Sequence, residues 1–384
     1  MWIDRKAEEE IRELLELFPV VAILGARQSG KSSLARRLMA GCPGSIQLDL
    51  ERPSDLRKLD DAELFFEANR GSTVCLDEIQ RLPEMFPLLR SEVDACRTPG
   101  RFLVLGSASL ELIRQGSESL AGRIAFHDLT PFQFRETDMD NDALRRLWWR
   151  GGFPDCYLAT SDRASILWRE NFIRTFVERD IPQLGFRIDS ARLIKMLTLC
   201  AHEQGQPLNL SKMAQFLEVT GQTVRNHFDL LSGTFLTRTL PAFYGNTKKR
   251  LVRAPKAYFR DQGLLHHLLG IESFNDLMGH PMQGASWEGF AIEQIMMARP
   301  DWNYSYYRTG HGAEIDLIIE TKDRLMAVEF KSSQTPKVSR GFYNALDDLS
   351  IEDAWVVIPL EGIYPSGRYQ VAGLGDFIRH IVAV

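Results

Sequence analysis

The chain has 384 residues, 44% of them apolar and 25% charged, with a formal net charge of −5. That length is ample for two or three domains with buried cores. The acidic balance excludes a whole-protein pull toward nucleic acid, so any such contact must come from a local basic patch. The five cysteines, Cys42, Cys75, Cys96, Cys156 and Cys200, form no CxxC pair. This argues against a zinc site or disulfide framework and for a reducing compartment. No apolar run reaches the roughly 20 residues that span a bilayer. The opening "MWIDRKAEEEIRELLELF" reads as an amphipathic helix, not a signal sequence. The expectation is a cytoplasmic protein without membrane contact.

In chain order, a short apolar strand "VVAIL" (Val20 to Leu24) follows the first helix, then a glycine-containing loop and a helix from about Ser32. Further buried strands are expected at "SIQLDL" (45–50), "TVCLD" (73–77) and "RFLVLGS" (101–107), with helical segments between them. Such alternation predicts a mostly parallel α/β sheet to about residue 135. From about 136 to 205 the pattern is helical, with Trp168, Phe172 and Phe176 in one apolar stripe. A compact helical unit ending in β-like segments follows to about 260. A helix and alternating strands then read as a separate α/β domain.

The loop "GARQSGKS" (Gly25 to Ser32) fits GxxxxGK[ST] between a strand and a helix, the context a phosphate-binding loop requires. Its backbone N–H groups, from Gly25 through Ala26, Arg27, Gln28, Ser29 and Gly30 to Lys31, Ser32 and Ser33, are expected to face the phosphates of ATP. Lys31 would reach the β- and γ-phosphates, and Ser32 with Asp77 would hold Mg²⁺. Glu78, next to Asp77, is placed to polarise the attacking water. Ser107 at the end of "LVLGS" either senses the γ-phosphate or is a strand-end turn residue. Arg123 in "SLAGRI" is either an arginine finger for a neighbouring subunit, which demands a homo-oligomer, or part of an internal salt bridge.

Residues 208–240 read as helix–turn–helix with a wing. Ser211 is expected to cap the first helix, with Met213 or Ala214 and Leu217 facing the core. Gly221 ends the turn. The second helix buries Val224, Phe228 and Leu231 and turns Gln222, Arg225 and Asn226 outward, where they can touch DNA. The run "KKRLVRAPKAYFR" carries six basic residues and no acidic one; Lys248, Lys249 and Arg250 open it as a phosphate-binding strip. The alternative is a packing module with a solvated basic segment.

Farther on, "AEIDLIIETKDRLMAVEFK" (Ala313 to Lys331) alternates on both sides of a polar "TKDR" turn. Pairing Thr321 with Arg324 sets Leu317 against Val328, Ile319 against Met326 and Ile315 against Phe330. The same register sets Asp316 against Glu329 and Glu314 against Lys331. Opposed Cβ atoms roughly 4.5–5.5 Å apart would let Asp316 and Glu329 share a divalent cation. An Asp on one strand with Glu-x-Lys on the next resembles the PD-(D/E)xK nuclease pattern. That resemblance implies carboxylates holding Mg²⁺ and Lys331 positioning water, with Glu288, or second Glu293, as a helical addition. Ile315 stands where that pattern often has proline. The alternatives are a charged sheet edge and a nuclease-like domain that only binds.

Together "GARQSGKSSL", "LDEIQRLPEMFPLLRSEVD", "GRFLVLGSASL", "LAGRIAFHDLTPFQFRE", "GGFPD", "ERDI", "APKAYFRDQGLLHHLLGI", "GASWEGFAIEQI" and "GAEIDLII" closely resemble a widespread prokaryotic family of AAA-type ATP-binding proteins with a C-terminal domain of unknown function. The resemblance implies an AAA-like ATPase core (1–135), a helical lid (136–205), a winged helix–turn–helix (206–260) and a restriction-endonuclease-like domain (261–384). It supports Gly25, Gly30, Lys31, Ser32, Asp77 and Glu78 as nucleotide-site residues, with Ser107 and Arg123. Ala26 and Ser29 stand where relatives often carry proline and valine, without removing a phosphate ligand. The expected activity is ATP hydrolysis coupled to work on DNA. The rival reading is an ATP-dependent switch or remodelling module whose C-terminal domain binds a protein partner.

Overall fold

The computed structural model describes residues 2–42, 44–107, 120–244 and 251–383. The described chain packs as two compact units. The first comprises residues 1–132 with 233–235, and the second residues 133–232 with 236–384. The first unit closes at Phe132, while the expectation put a boundary at 135. The further divisions expected at 205/206 and 260/261 fall inside the second unit, where side chains from both sides of each meet.

The first unit is built on a fully parallel five-stranded sheet. Its strands are β1 (Val20–Leu24), β2 (Ile46–Asp49), β3 (Val74–Asp77), β4 (Phe102–Gly106) and β5 (Ile124–Asp128), in the order β2-β3-β4-β1-β5. β1 and β4 are buried along their whole length, which is why they read as unbroken apolar runs. One face packs Leu48, Leu76, Phe86, Leu89 and Phe102. The other packs Ile11 of the first helix (Lys6–Leu17) with Val21, Ile23, Leu34 and Leu38. β5 was not expected. It lies at the sheet edge with alternating partial exposure, so "IAFHD" carries no continuous apolar signal.

In the second unit, the helix Asp162–Thr175 runs on into a wider turn at Phe176–Asp180. Trp168, Phe172 and Phe176 stack along it as expected, with ring centroids 5.1 and 6.3 Å apart. The helix Leu210–Leu217 buries Met213, Ala214 and Leu217. Its cap is Asn209, whose side chain accepts from the Lys212 amide at 3.0 Å, and not Ser211. Ser211 instead falls one residue into the helix. The helix Gly221–Gly233 buries Val224, Phe228 and Leu231, and leaves Gln222, Arg225 and Asn226 exposed. β6 (Thr237–Leu240) and β7 (Lys256–Phe259) pair antiparallel beyond it. Lys248, Lys249 and Arg250 lie outside the described residues.

The rest of the second unit is a mixed six-stranded sheet. It contains β8 (Asn303–Arg308), β9 (Glu314–Glu320), β10 (Leu325–Phe330), β11 (Asp353–Ile358), β12 (Ile363–Ser366) and β13 (Tyr369–Gly373), ordered β12-β13-β11-β10-β9-β8. The β9–β10 hairpin has the expected register, with Val328 opposite Leu317, Met326 opposite Ile319, and Thr321 bonded to Arg324 across the turn. The ladder ends at the Leu317–Val328 pair, so Asp316 and Glu329 are not joined by backbone bonds. A shift in the β8–β9 pairing between Ser305 and Tyr307 turns β9 at this point. The Asp316 carboxylate takes over the ladder's role by accepting the Phe330 amide at 3.0 Å. The charged face is not a solvated edge: Ile318 and Ala327 on it pack with Phe342 and Leu346 of the helix Arg340–Leu349.

Candidate functional site

In the first unit, β1 delivers the chain into the glycine loop, and the helix Lys31–Ala40 begins at its end. Gly25 approaches the Leu129 carbonyl so closely that a Cβ would lie 2.2 Å from that oxygen, and Gly30 has φ +99°. Both positions demand glycine. Buried Arg5 braces the loop, donating to the Ser29 carbonyl at 3.1 Å and the Thr130 carbonyl at 2.6 Å. Nothing in the spacing of the loop motif pointed to Arg5.

Lys31 is buried, and its ammonium donates to the carbonyls of Gly25 and Ala26, each at 2.9 Å. Burial pulls its pKa down to about 8, against the opposing charges of Glu78 and Asp77. Asp77 ends β3, where burial raises its carboxyl above the usual range and a bond from Ser32 works the other way. Asp77 Oδ1 and Ser29 Oγ are buried with no hydrogen-bond partner among the described residues. A desolvated lysine, an under-served carboxylate and a loop shaped by glycines fit the phosphates of a nucleotide, and Ser32 and Asp77 are the residues that could hold its metal.

Glu78 adopts the left-handed conformation, φ +61°, uncommon for a residue with a side chain. Its Oε1 accepts from Ser107 Oγ at 3.0 Å, and its Oε2 from the Gln80 amide. Ser107 is therefore a partner of Glu78, a contact that joins the ends of β3 and β4. Arg123 donates to Asp94 Oδ1 at 2.6 Å and to the Ala121 carbonyl at 3.0 Å, so in the single chain it forms the internal ion pair.

The second unit gathers Glu288, Glu314, Asp316, Glu329 and Lys331 around a cavity of about 310 Å³. Lys256 and Arg308 line the same cavity and were not anticipated there. Lys256 is 2% exposed, and its Nζ lies 3.3 Å from Glu288 Oε1, 3.1 Å from Glu314 Oε1 and 3.9 Å from Asp316 Oδ1. Burial alone would lower its pKa, but the carboxylates of Glu288, Asp316 and Glu314 outweigh that and raise it. Tyr258 donates to Glu288 Oε1 at 2.5 Å, and Lys331 to Glu329 Oε1 at 2.7 Å. Burial pushes the Glu288 carboxyl up to about 7, with Lys256 opposing and Asp316 reinforcing. Burial and Asp316 likewise hold Glu329 well above the carboxylate range.

Glu293, the second choice for the helical acid, is elsewhere. It is buried between Arg238, at 2.6 and 3.0 Å, and Arg260, at 2.7 Å. Although burial works against it, these two guanidinium groups draw its pKa to about 2, an interior ion-pair cluster. Gly289, one turn earlier, admits the Gln204 side chain so closely that a Cβ there would meet its amide nitrogen at 2.8 Å. Among the described residues, no group of three or more His, Cys, Asp or Glu side chains is arranged to hold a metal ion. No helix among them is long and apolar enough to cross a membrane.

These features agree with the comparisons. An AAA-domain family model matches residues 17–137, and two domains of unknown function, DUF8612 and DUF4143, match residues 141–275 and 283–377. The chain belongs to the same family as the uncharacterized protein Rv2008c of Mycobacterium tuberculosis. It is 40% identical to it over 379 residues, which cover 98% of this chain and 85% of that protein. Uncharacterized protein Mb2031c of Mycobacterium bovis matches to the same extent. The Walker-type ATPase PABY2304 of Pyrococcus abyssi shares the fold with a TM-score of 0.50 at 16% identity, over 70% of this chain and 96% of that one. The first unit thus has the fold of an AAA domain, with the P-loop motif at its glycine loop.

Proposed function

We propose that this protein hydrolyses ATP with Mg²⁺ and couples the cycle to work on DNA through its second unit. The ATPase reading rests on one observation above all: Lys31, Asp77 and Glu78 converge at the glycine loop, where Asp77 Oδ1 and Ser29 Oγ are buried without partners among the described residues. Lys31 would exchange its two loop carbonyls for phosphate oxygens. Ser32 and Asp77 would hold Mg²⁺, which supplies charge neutralisation at the phosphates. Glu78, oriented by Ser107 and Gln80, would accept hydrogen-bond donation from the attacking water and draw off its proton.

The DNA reading rests on the helix Gly221–Gly233, whose buried face leaves Gln222, Arg225 and Asn226 exposed on the other. Gln222 and Asn226 are already aligned by a 2.9 Å bond. With Lys248, Lys249 and Arg250 they would meet phosphates and base edges. In a homo-oligomer Arg123 would leave Asp94 for a neighbour's nucleotide, so turnover per chain would rise with protein concentration. The rival is a remodelling module whose second unit holds a protein partner. The deciding experiment measures phosphate release by the full chain, by Lys31→Ala, and by the full chain with linear, forked or four-way DNA. Turnover abolished by Lys31→Ala and raised by DNA supports the proposal. Normal turnover in Lys31→Ala refutes the ATPase assignment, and turnover indifferent to DNA, with no DNA binding at low salt, favours the rival.

A further inference from the structure

The cavity of the second unit resembles a divalent-cation site in its acids but not in its bookkeeping of partners. Lys256 brings a buried ammonium within 3.1–3.9 Å of three carboxylates on two elements, Glu288 on the helix Gln283–Ala298 and Glu314 and Asp316 on β9. That is where a cation shared by these groups would sit. Further oxygens of the cluster are engaged by the chain itself. Asp316 Oδ2 accepts the Phe330 amide, Glu288 Oε1 accepts Tyr258, and Glu329 Oε1 accepts Lys331. No oxygen of these four acids is among the buried polar atoms left without a partner. The Tyr306 ring closes over the ammonium, with Nζ 5.2 Å from its centroid.

We propose that Lys256 is the resident cation of this cavity, standing in for a divalent metal, so that the wild-type site does not bind Mg²⁺ and becomes a metal site only when that ammonium is removed. Three cations, Lys256, Arg308 and Lys331, line the cavity with the four acids, so the donor set is largely neutralised by the chain itself. An ammonium held this way also blocks the approach of a hydrated divalent ion, which needs several oxygens at about 2.0–2.6 Å. The donor set therefore does not fit Mg²⁺, and no cleavage step through a metal is assigned to it. This inference is independent of ATP hydrolysis.

The test is Mn²⁺ binding, read by the loss of the free-ion paramagnetic signal, on the full chain without nucleotide. Wild type and Asp316→Asn should bind alike, with no site that depends on Asp316. Lys256→Met should gain one Mn²⁺ per chain at least tenfold tighter than any wild-type binding, and Lys256→Met combined with Asp316→Asn should lose it again. A wild-type Mn²⁺ site abolished by Asp316→Asn would overturn the proposal. So would a folded Lys256→Met protein that gains no ion. If Lys256→Met does not fold, Lys256→Gln takes its place, and the wild-type comparison decides without either variant.

Discussion

The two units each bury one lysine among acids, and the lysines are held in opposite ways. Among the described residues Lys31 donates to two loop carbonyls, its pKa is pulled down to about 8, and a neighbouring carboxylate oxygen has no partner. Lys256 is surrounded by three carboxylates, its pKa is raised, and none of their oxygens is among the buried atoms without a partner among the described residues. The first arrangement is incomplete without a ligand and gains by binding one. The second is complete as it stands. Burial and charge type are the same in both places, so it is the count of satisfied partners that separates a site awaiting a ligand from a self-contained one.

The contrast can be broken by substitution. Glu78→Gln keeps the shape of the nucleotide site but removes its base, so the rate of phosphate release should fall by ~10²–10⁴ while nucleotide binding persists. Equilibrium binding of a fluorescent ATP analogue checks the second half. In the cavity, Lys256→Met leaves its carboxylates facing one another, and breaking a buried ion cluster costs about 3–5 kcal/mol. Chemical denaturation should register that loss, and millimolar Mn²⁺ should restore part of it. A loss that Mn²⁺ cannot touch would blur the distinction between the two lysines.

A finer probe is pH. The Glu288 carboxyl is raised to about 7 in the fold, from an ordinary value near 4.5. The folded state then binds more protons than the unfolded chain between those values. This group's contribution to stability is present below pH 4.5 and is lost as pH climbs through about 7. Melting temperatures of wild type minus those of Glu288→Gln should fall across that window, and a flat difference would place Glu288 outside the cluster's electrostatics. The smallest effect belongs to the helix Gly221–Gly233. Arg225→Ala should weaken DNA binding uniformly across sequences and reduce the salt slope by about 1, with turnover in the absence of DNA unchanged.

Much of this was legible in the sequence, for identifiable reasons. The phosphate loop is local: one strand, one turn and one helix start carry it, so "GARQSGKS" suffices. The hairpin register was also legible, because a period of two and a four-residue turn leave a single apolar-to-apolar pairing. Where the ladder stops was not, since that depends on a bulge against β8. Lys256 escaped because it sits in a basic run that reads as a solvated strip. Lys256 and Tyr258 share one face of β7, but all four residues of that strand are buried, so no alternation marked the polar pair as facing inward. Arg123 was open between two roles, and the placement of Asp94 on the helix Met85–Ala95 decided its partner in the single chain.

The position of Lys256 also bears on how the protein is taken apart. A fragment starting after residue 260 would keep Glu288, Glu314, Asp316 and Glu329 and lose the ammonium among them. Such a piece, if it folded, would recruit Mg²⁺ or Mn²⁺ simply to relieve its own repulsion. Metal dependence seen in the isolated fragment would then be a product of the cut and not a property of the intact chain.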